Sequence, residues 1–184
     1  LVNKSIFRDI IDQRLDKEYY SEEKYGMKFK GNSYRILDIK LDYVHICSID
    51  SKQDSITTEK MIHILEKTVQ KSDYDTILCD MPNMHLYCLI AYDFYESANA
   101  KETICQLLTN IQHFLIGFDQ YQIAIGISEE TKKIDKVFDR VMQAQIAVGN
   151  RIKFGTNRLI YASCDVKVEN KYVSDIFEKK KEMF

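Results

Sequence analysis

The chain has 184 residues, a length typical of one domain with enough sequence for a sizeable core. With a formal net charge of −2 it lacks the basic excess that nucleic-acid binding requires, so we expect no nucleic-acid contact by this segment. No apolar run reaches the length of a membrane-spanning helix, and we expect a cytoplasmic protein with no membrane contact. The chain begins with Leu, so we expect it to be a segment of a longer protein.

Cysteine and histidine are spread along the chain without the spacing of a metal site. The five cysteines and four histidines include no C-x-x-C or H-x-x-x-H pair. We therefore predict no metal and no cofactor, and we expect reduced, buried thiols.

The first elements predicted along the chain are a helix and a strand. Residues 3–20 have the spacing of an amphipathic helix, with an apolar stripe that includes Ile6 and Ile10. A polar connection over 21–33 follows. Residues 34–42 alternate between apolar and polar, which predicts a strand with one buried face and one solvent-facing face. The polar face would carry Asp38, Lys40 and Asp42.

A helix, a hairpin and a second helix come next. The stretch 51–73 is amphipathic, and strands are predicted over 75–81 and 84–93 with a tight turn between them. The second of these strands is apolar on both faces, which predicts a central place in the sheet. A helix over 100–116 follows, with Asn99 as its predicted N-cap.

The last third of the chain adds two strands and two helices. A strand is predicted over 121–128, a helix over 131–153 and a strand over 157–163. The predicted helix has an apolar stripe made of Ile134, Val137, Phe138, Val141, Val148 and Ile152. A charged helix is predicted for the last residues, DIFEKKKEMF.

The order of the central elements predicts the fold class. A β-α-β-β-α-β core is the split βαβ arrangement, so we predict an α+β, ferredoxin-like antiparallel sheet with helices packed on it. Helices at the two ends of the chain extend this core.

Short residue strings over 123–165 resemble a known family. A strand ends in Gly126-Ile127-Ser128, an Ala-rich helix carries Gln143-Ala144, and Gly155 and Tyr161 follow it. This pattern resembles the degenerate GGDEF-like domains, which are related to the catalytic domain of diguanylate cyclases and have a nucleotidyl cyclase-like fold. It is most similar to the version found between a receiver domain and an AraC-type DNA-binding domain in response regulators.

The resemblance implies a division of the chain. Residues 1–33 would be an N-terminal connector helix and linker, 34–165 the degenerate GGDEF-like domain, and 166–184 a C-terminal connector helix. The implied partners are flanking receiver and DNA-binding domains of the same protein and a second copy in a homodimer. The Ile6/Ile10 stripe, if exposed, would supply a dimer seam. The alternative is that both terminal helices pack on their own domain.

The hairpin tip decides what the resemblance implies about catalysis. Cyclases of this fold hold two metal ions on carboxylates from the end of the first strand and from the hairpin tip, whose signature is Gly-Gly-Asp/Glu-Glu-Phe. Here the tip has no glycine and no acid between Asp80 and Asp93, and Pro82 lacks a backbone donor. We therefore predict no catalytic residues and no enzyme activity.

Two functions follow as hypotheses. The first is a non-catalytic regulatory, signal-relay domain of a bacterial two-component response regulator that controls transcription through self-association. The alternative is a sensor that binds a nucleotide or metabolite in the former cyclase cleft, with Asp42, Asp80, Asn83 and His85 as candidate ligand-binding residues. These four residues also suit ordinary turns and solvated strand ends.

Overall fold

A computed structural model describes residues 2–14, 27, 29–44, 51–72 and 74–162. Within these ranges the strands are β1 Ser33–Tyr43, β2 Asp75–Met81, β3 His85–Tyr92, β4 Tyr121–Ile127 and β5 Arg158–Tyr161. The helices in the same ranges are α1 Val2–Ile11, α2 Ser51–Gln70, α3 Ser97–Leu115, α4 Val137–Gly149 and α5 Arg151–Phe154. None of these helices combines the length and apolar content needed to cross a membrane.

The five strands form one sheet in the order β2-β3-β1-β4-β5. β1 pairs antiparallel with β3 and β4, and β2 pairs antiparallel with β3. This confirms the predicted α+β, β-α-β-β-α-β core. Strand β3 lies inside the sheet, paired on both sides, and β1 is the middle strand. β5 runs parallel to β4, so the sheet is mixed where the prediction had it antiparallel.

One face of the sheet packs on α2 and α3. Leu37, Ile39 and Leu41 point to this face because side chains alternate along a strand. Leu65 of α2 and Ile111 of α3 are fully buried against them. The predicted apolar face of the first strand is therefore confirmed.

The other face packs on α1 and α4, and here the predicted solvent-facing side of the first strand is wrong. Asp38 is fully buried on this face. The cause is the close approach of α4 to Gly126, the β4 residue paired with Asp38. A Cβ at Gly126 would lie 2.5 Å from the Val148 nitrogen and closer still to the Ala144 carbonyl oxygen, so only glycine lets the helix backbone come this near.

Helix α1 packs on its own domain. Ile6, Phe7 and Ile10 are buried in a cluster with residues of β2 and α4. Because this stripe is covered, it does not offer the dimer seam that the sequence suggested. The rest of the predicted helix over 15–20 and the predicted connector over 166–184 lie outside the described residues.

Two predicted helices have boundaries that differ from the structure. The helix expected over 131–153 begins at Val137, because Thr131 instead exchanges backbone hydrogen bonds of 2.8 and 3.0 Å with Tyr34. Ile152 is 89% exposed, because the chain turns after Gly149 and α5 leaves the apolar stripe. Helix α3 begins at Ser97, so Asn99 lies within the helix and is not its cap.

Candidate functional site

The β2–β3 hairpin ends in a three-residue loop with an unusual backbone. Asn83 and Met84 have φ angles of 62° and 59°, in the left-handed region that asparagine tolerates and methionine seldom adopts. Strand β1 stabilises this conformation through two hydrogen bonds. The Leu41 N–H donates to the Met84 carbonyl at 3.1 Å, and the Lys40 ammonium donates to the Asn83 carbonyl.

A groove of about 470 Å³ lies between this tip and the N-terminal half of α2. Its lining is mostly polar and includes three carboxylates but no lysine or arginine, so the formal charge of the lining is negative. The lining residues are Asp54, Ser55, Thr58, Glu59, Ile62, Asp80, Asn83 and Met84.

Two tyrosines fix the carboxylate of Asp54 at one end of the groove. The Tyr121 hydroxyl donates to Asp54 Oδ1 at 2.8 Å, and the Tyr43 hydroxyl donates to Oδ2. Burial and the hydrogen bond to Asp54 raise the pKa of Tyr121, which therefore stays a protonated donor at neutral pH. Asp54 is thus a positioned acceptor.

The structure divides the four predicted ligand-binding residues between the two faces of the sheet. Asp80 and Asn83 line the groove. His85 pairs with Met81 across the hairpin while Asp80 pairs with Leu86, so the side chains of Asp80 and His85 point to opposite faces. Asp42 and His85 therefore do not meet Asp80 in one pocket.

Sequence reasoning missed the α2 side of the groove. Asp54 and Thr58, and likewise Ser55 and Glu59, are four residues apart and share one side of the helix. This polar stripe at helical spacing was visible in the sequence, but nothing in the sequence indicated that the hairpin tip would lie beside it.

Asp42 belongs to an ion pair. Arg151 holds it with two hydrogen bonds, one from Nη2 to Oδ1 at 3.1 Å and one from Nε to Oδ2. The metal pair of the cyclase mechanism needs a carboxylate from the end of β1 beside one from the tip. Here Asp42 faces away from Asp80 and Lys40 reaches the tip instead, so these residues do not fit that metal pair. Across the described ranges, no three His, Cys, Asp or Glu side chains are grouped so as to hold a metal ion.

His85 belongs to a buried polar cluster under α4. Its Nδ1 lies 2.9 Å from Oδ1 of Asp38, and the Gln145 amide donates to the Tyr87 hydroxyl at 3.2 Å. Asp38 Oδ2 is buried without a hydrogen-bond partner. Burial, and next the charge of Asp38, raise the pKa of Tyr87, so its hydroxyl stays protonated.

Comparison with known proteins identifies the fold class. No protein-family model and no curated protein matches the sequence. The active GGEEF domain of a diguanylate cyclase from Vibrio cholerae is similar in structure, with a TM-score of 0.56 at 10% identity, covering 87% of this chain and 94% of that chain. The GGDEF domain of PA1120 from Pseudomonas aeruginosa has a TM-score of 0.47 at 12% identity, covering 88% and 91%. The chain has the nucleotidyl cyclase-like fold of GGDEF domains.

This similarity corrects the prediction that the chain is not an enzyme. That prediction rested on a few residues at the hairpin tip, whereas almost the whole chain shares its fold with a domain described as active in a diguanylate cyclase. The missing glycines at the tip are therefore not enough to exclude catalysis.

Proposed function

We propose that this chain is a ligand-binding regulatory domain of a bacterial signalling protein and that its ligand binds in the groove between the hairpin tip and α2. The observation that carries the proposal is the groove itself, whose lining combines Asp54, positioned by Tyr121, with Asp80 and Asn83 of the tip. Sites for small ligands are concave and use a small number of fixed polar groups to orient the ligand. A nucleotide or a metabolite is the ligand class we propose.

The charge of the groove narrows this class. Asp54, Glu59 and Asp80 repel a bare phosphate, because the lining has no lysine or arginine. The two nearby cations, Lys40 and Arg8, are bonded to backbone carbonyls of the tip. The same carboxylates accept hydrogen bonds from the amino and imino groups of a nucleobase. We therefore propose that a nucleotide binds with its base in the groove and its phosphates towards solvent.

The proposed context is a two-component response regulator that controls transcription. Support for it comes from the residue strings over 123–165 that resemble the GGDEF-like domains of such regulators. Ligand binding would act there by shifting a self-association equilibrium, which requires that the ligand bind one association state more tightly than the other.

Signal relay through self-association without a ligand is a second candidate. The observation in its favour is a set of exposed apolar side chains on α5 and β5, namely Ile152, Phe154 and Tyr161. Sedimentation of the domain over a range of concentrations tests it. We expect a dimer that Ile152→Asp weakens, and a monomer at all concentrations would contradict it.

Calorimetric titration tests the ligand-binding proposal. The probes are GTP with Mg²⁺ and cyclic di-GMP, each added to the folded domain. We expect binding of at least one probe, weakened about three- to tenfold by Thr58→Val, since one hydrogen bond is lost. The matched control is Thr109→Val on α3, which should bind like the wild type.

The absence of heat with either probe, from a sample that is folded by circular dichroism, would contradict nucleotide binding. An equal loss of affinity in Thr58→Val and Thr109→Val would place the ligand outside the groove.

A further inference from the structure

Helix α1 lies directly on the edge strand that leads to the hairpin tip. Phe7 is fully buried, and it shares a cluster with Ile77 and Cys79 of β2. The Cys79 thiol lies 3.6 Å from the Lys4 carbonyl, which it approaches as a donor. The helix and the strand are thus in continuous contact up to the start of the tip.

Arg8 extends this contact to a residue of the groove. Its Nη2 donates to the backbone carbonyl of Asp80 at 3.1 Å, while the Asp80 side chain lines the groove. Asp80 therefore touches α1 through its backbone and faces the groove with its carboxylate.

The end of the hairpin is held from outside at three carbonyls. The Arg8 side chain donates a hydrogen bond to the Asp80 carbonyl. The Lys40 side chain donates one to the Asn83 carbonyl, and the Leu41 N–H donates one to the Met84 carbonyl. A left-handed backbone at Asn83 and Met84 persists only where its surroundings support it. Two of the three supports come from the central strand β1, and α1 supplies the third.

We propose that α1 regulates the groove, because its docking on β2 positions the hairpin tip through the bond from Arg8 to Asp80. This inference rests on the proposed ligand-binding function of the groove. Coupling between two sites is reciprocal. A signal that releases α1 therefore weakens ligand binding, and a bound ligand holds α1 on the sheet.

Two native probes report on the two ends of this coupling without any ligand. Cys79 is buried beneath α1, so its alkylation reports release of the helix. The Leu41 amide is bonded to Met84, so its hydrogen exchange reports release of the tip. Mass spectrometry of the Cys79 peptide separates its labelling from that of the exposed Cys105.

The decisive variants are Arg8→Ala and Phe7→Ala. For Arg8→Ala we expect Cys79 labelling at the wild-type rate and faster hydrogen exchange at the Leu41 amide. Nucleotide affinity should fall about three- to tenfold, because one hydrogen bond is lost. Arg8→Lys should restore part of this loss. Arg14→Ala is the matched control, because its guanidinium pairs with Asp12 at 3.3 Å.

For Phe7→Ala we expect both Cys79 labelling and Leu41 exchange to rise.

The inference is overturned if Phe7→Ala raises Cys79 labelling while Leu41 exchange stays at the wild-type rate, or if Arg8→Ala leaves exchange unchanged. Should Phe7→Ala fail to fold, Arg8→Ala decides alone, since Arg8 is an exposed residue. A wild-type domain that binds neither probe would defeat the proposed function. The exchange results would still decide whether α1 controls the tip.

Discussion

The two faces of the sheet are built differently. The face under α2 and α3 is apolar along Leu37, Ile39 and Leu41. Its buried charge, Arg35, lies towards the start of β1 beside Tyr92 and Glu130, and the acidic groove opens at the opposite end of the strand. The face under α1 and α4 is also apolar, but Asp38, His85 and Tyr87 interrupt it. The comparison teaches that strand alternation determines which face of the sheet a side chain points to, whereas the helix packed on that face determines whether the side chain is buried.

The largest expected effect lies on the face under α2 and α3. Leu65 is fully buried there, so Leu65→Ala should lower the free energy of unfolding by about 2–5 kcal/mol, through lost burial and the cavity left behind. Urea unfolding measures it. A loss below about 1 kcal/mol would mean that α2 does not pack as described.

The next effect tests how closely α4 lies on the other face. Gly126→Ala should lower the free energy of unfolding by about 1–3 kcal/mol, because the new methyl group meets the backbone at Ala144 and Val148. Gly149→Ala, at the C-terminal end of α4, is the matched control, because a Cβ there meets nothing within 4 Å. It should be neutral or raise stability by up to about 1 kcal/mol. Similar losses in both variants would contradict the close approach.

Cys79 gives a pH-dependent effect on the same face. Burial raises its pKa from 9.0 to about 11. A raised folded-state pKa gives stability that is complete below pH 9 and is lost as the pH rises towards 11. Between pH 8.5 and 10.5, the wild type should therefore lose about 1–2 kcal/mol more than Cys79→Ala, as measured by urea unfolding. Parallel curves for the two proteins would show that Cys79 is not buried beneath α1.

A smaller effect is expected at the buried carboxylate. Asp38→Asn should change the free energy of unfolding by about 1 kcal/mol or less, because one carboxylate oxygen already lacks a partner and the His85 side chain left behind is partly exposed. A loss above about 3 kcal/mol would show that the carboxylate is an essential part of this face.

The smallest effect is expected in α5, just after the end of α4. Ile152 is 89% exposed, so Ile152→Ser should change the free energy of unfolding by less than about 0.5 kcal/mol. A larger loss would return Ile152 to the apolar stripe of α4, as the sequence pattern suggested.

The sequence predicted the order of elements and the interior position of β3 in the sheet, because long apolar runs and clear periodicity determine both. The sequence-based predictions were wrong where contacts between distant elements determine burial and helix boundaries. The solvent-facing side of β1 was wrong because α4 covers Asp38, and the start of α4 was wrong because Thr131 pairs with Tyr34. Neither contact has a local pattern.

The candidate site was half predictable. Asp80 and Asn83 stood out as tip residues, and both line the groove. The separation of His85 from Asp80 depends on hairpin register, since a shift of one residue would turn His85 to the other face. The contribution of Asp54 and Thr58 required knowing that α2 passes beside the tip.

The most direct test of the central claim is a map of backbone amide chemical shifts as guanine nucleotide is added to the isotope-labelled domain. We predict shifts concentrated at Thr58, Glu59 and Asn83, around the groove, with Thr109 and Asn110 on α3 unmoved. Shifts concentrated away from the groove, or none at saturating nucleotide, would contradict the assignment of this groove as the ligand site.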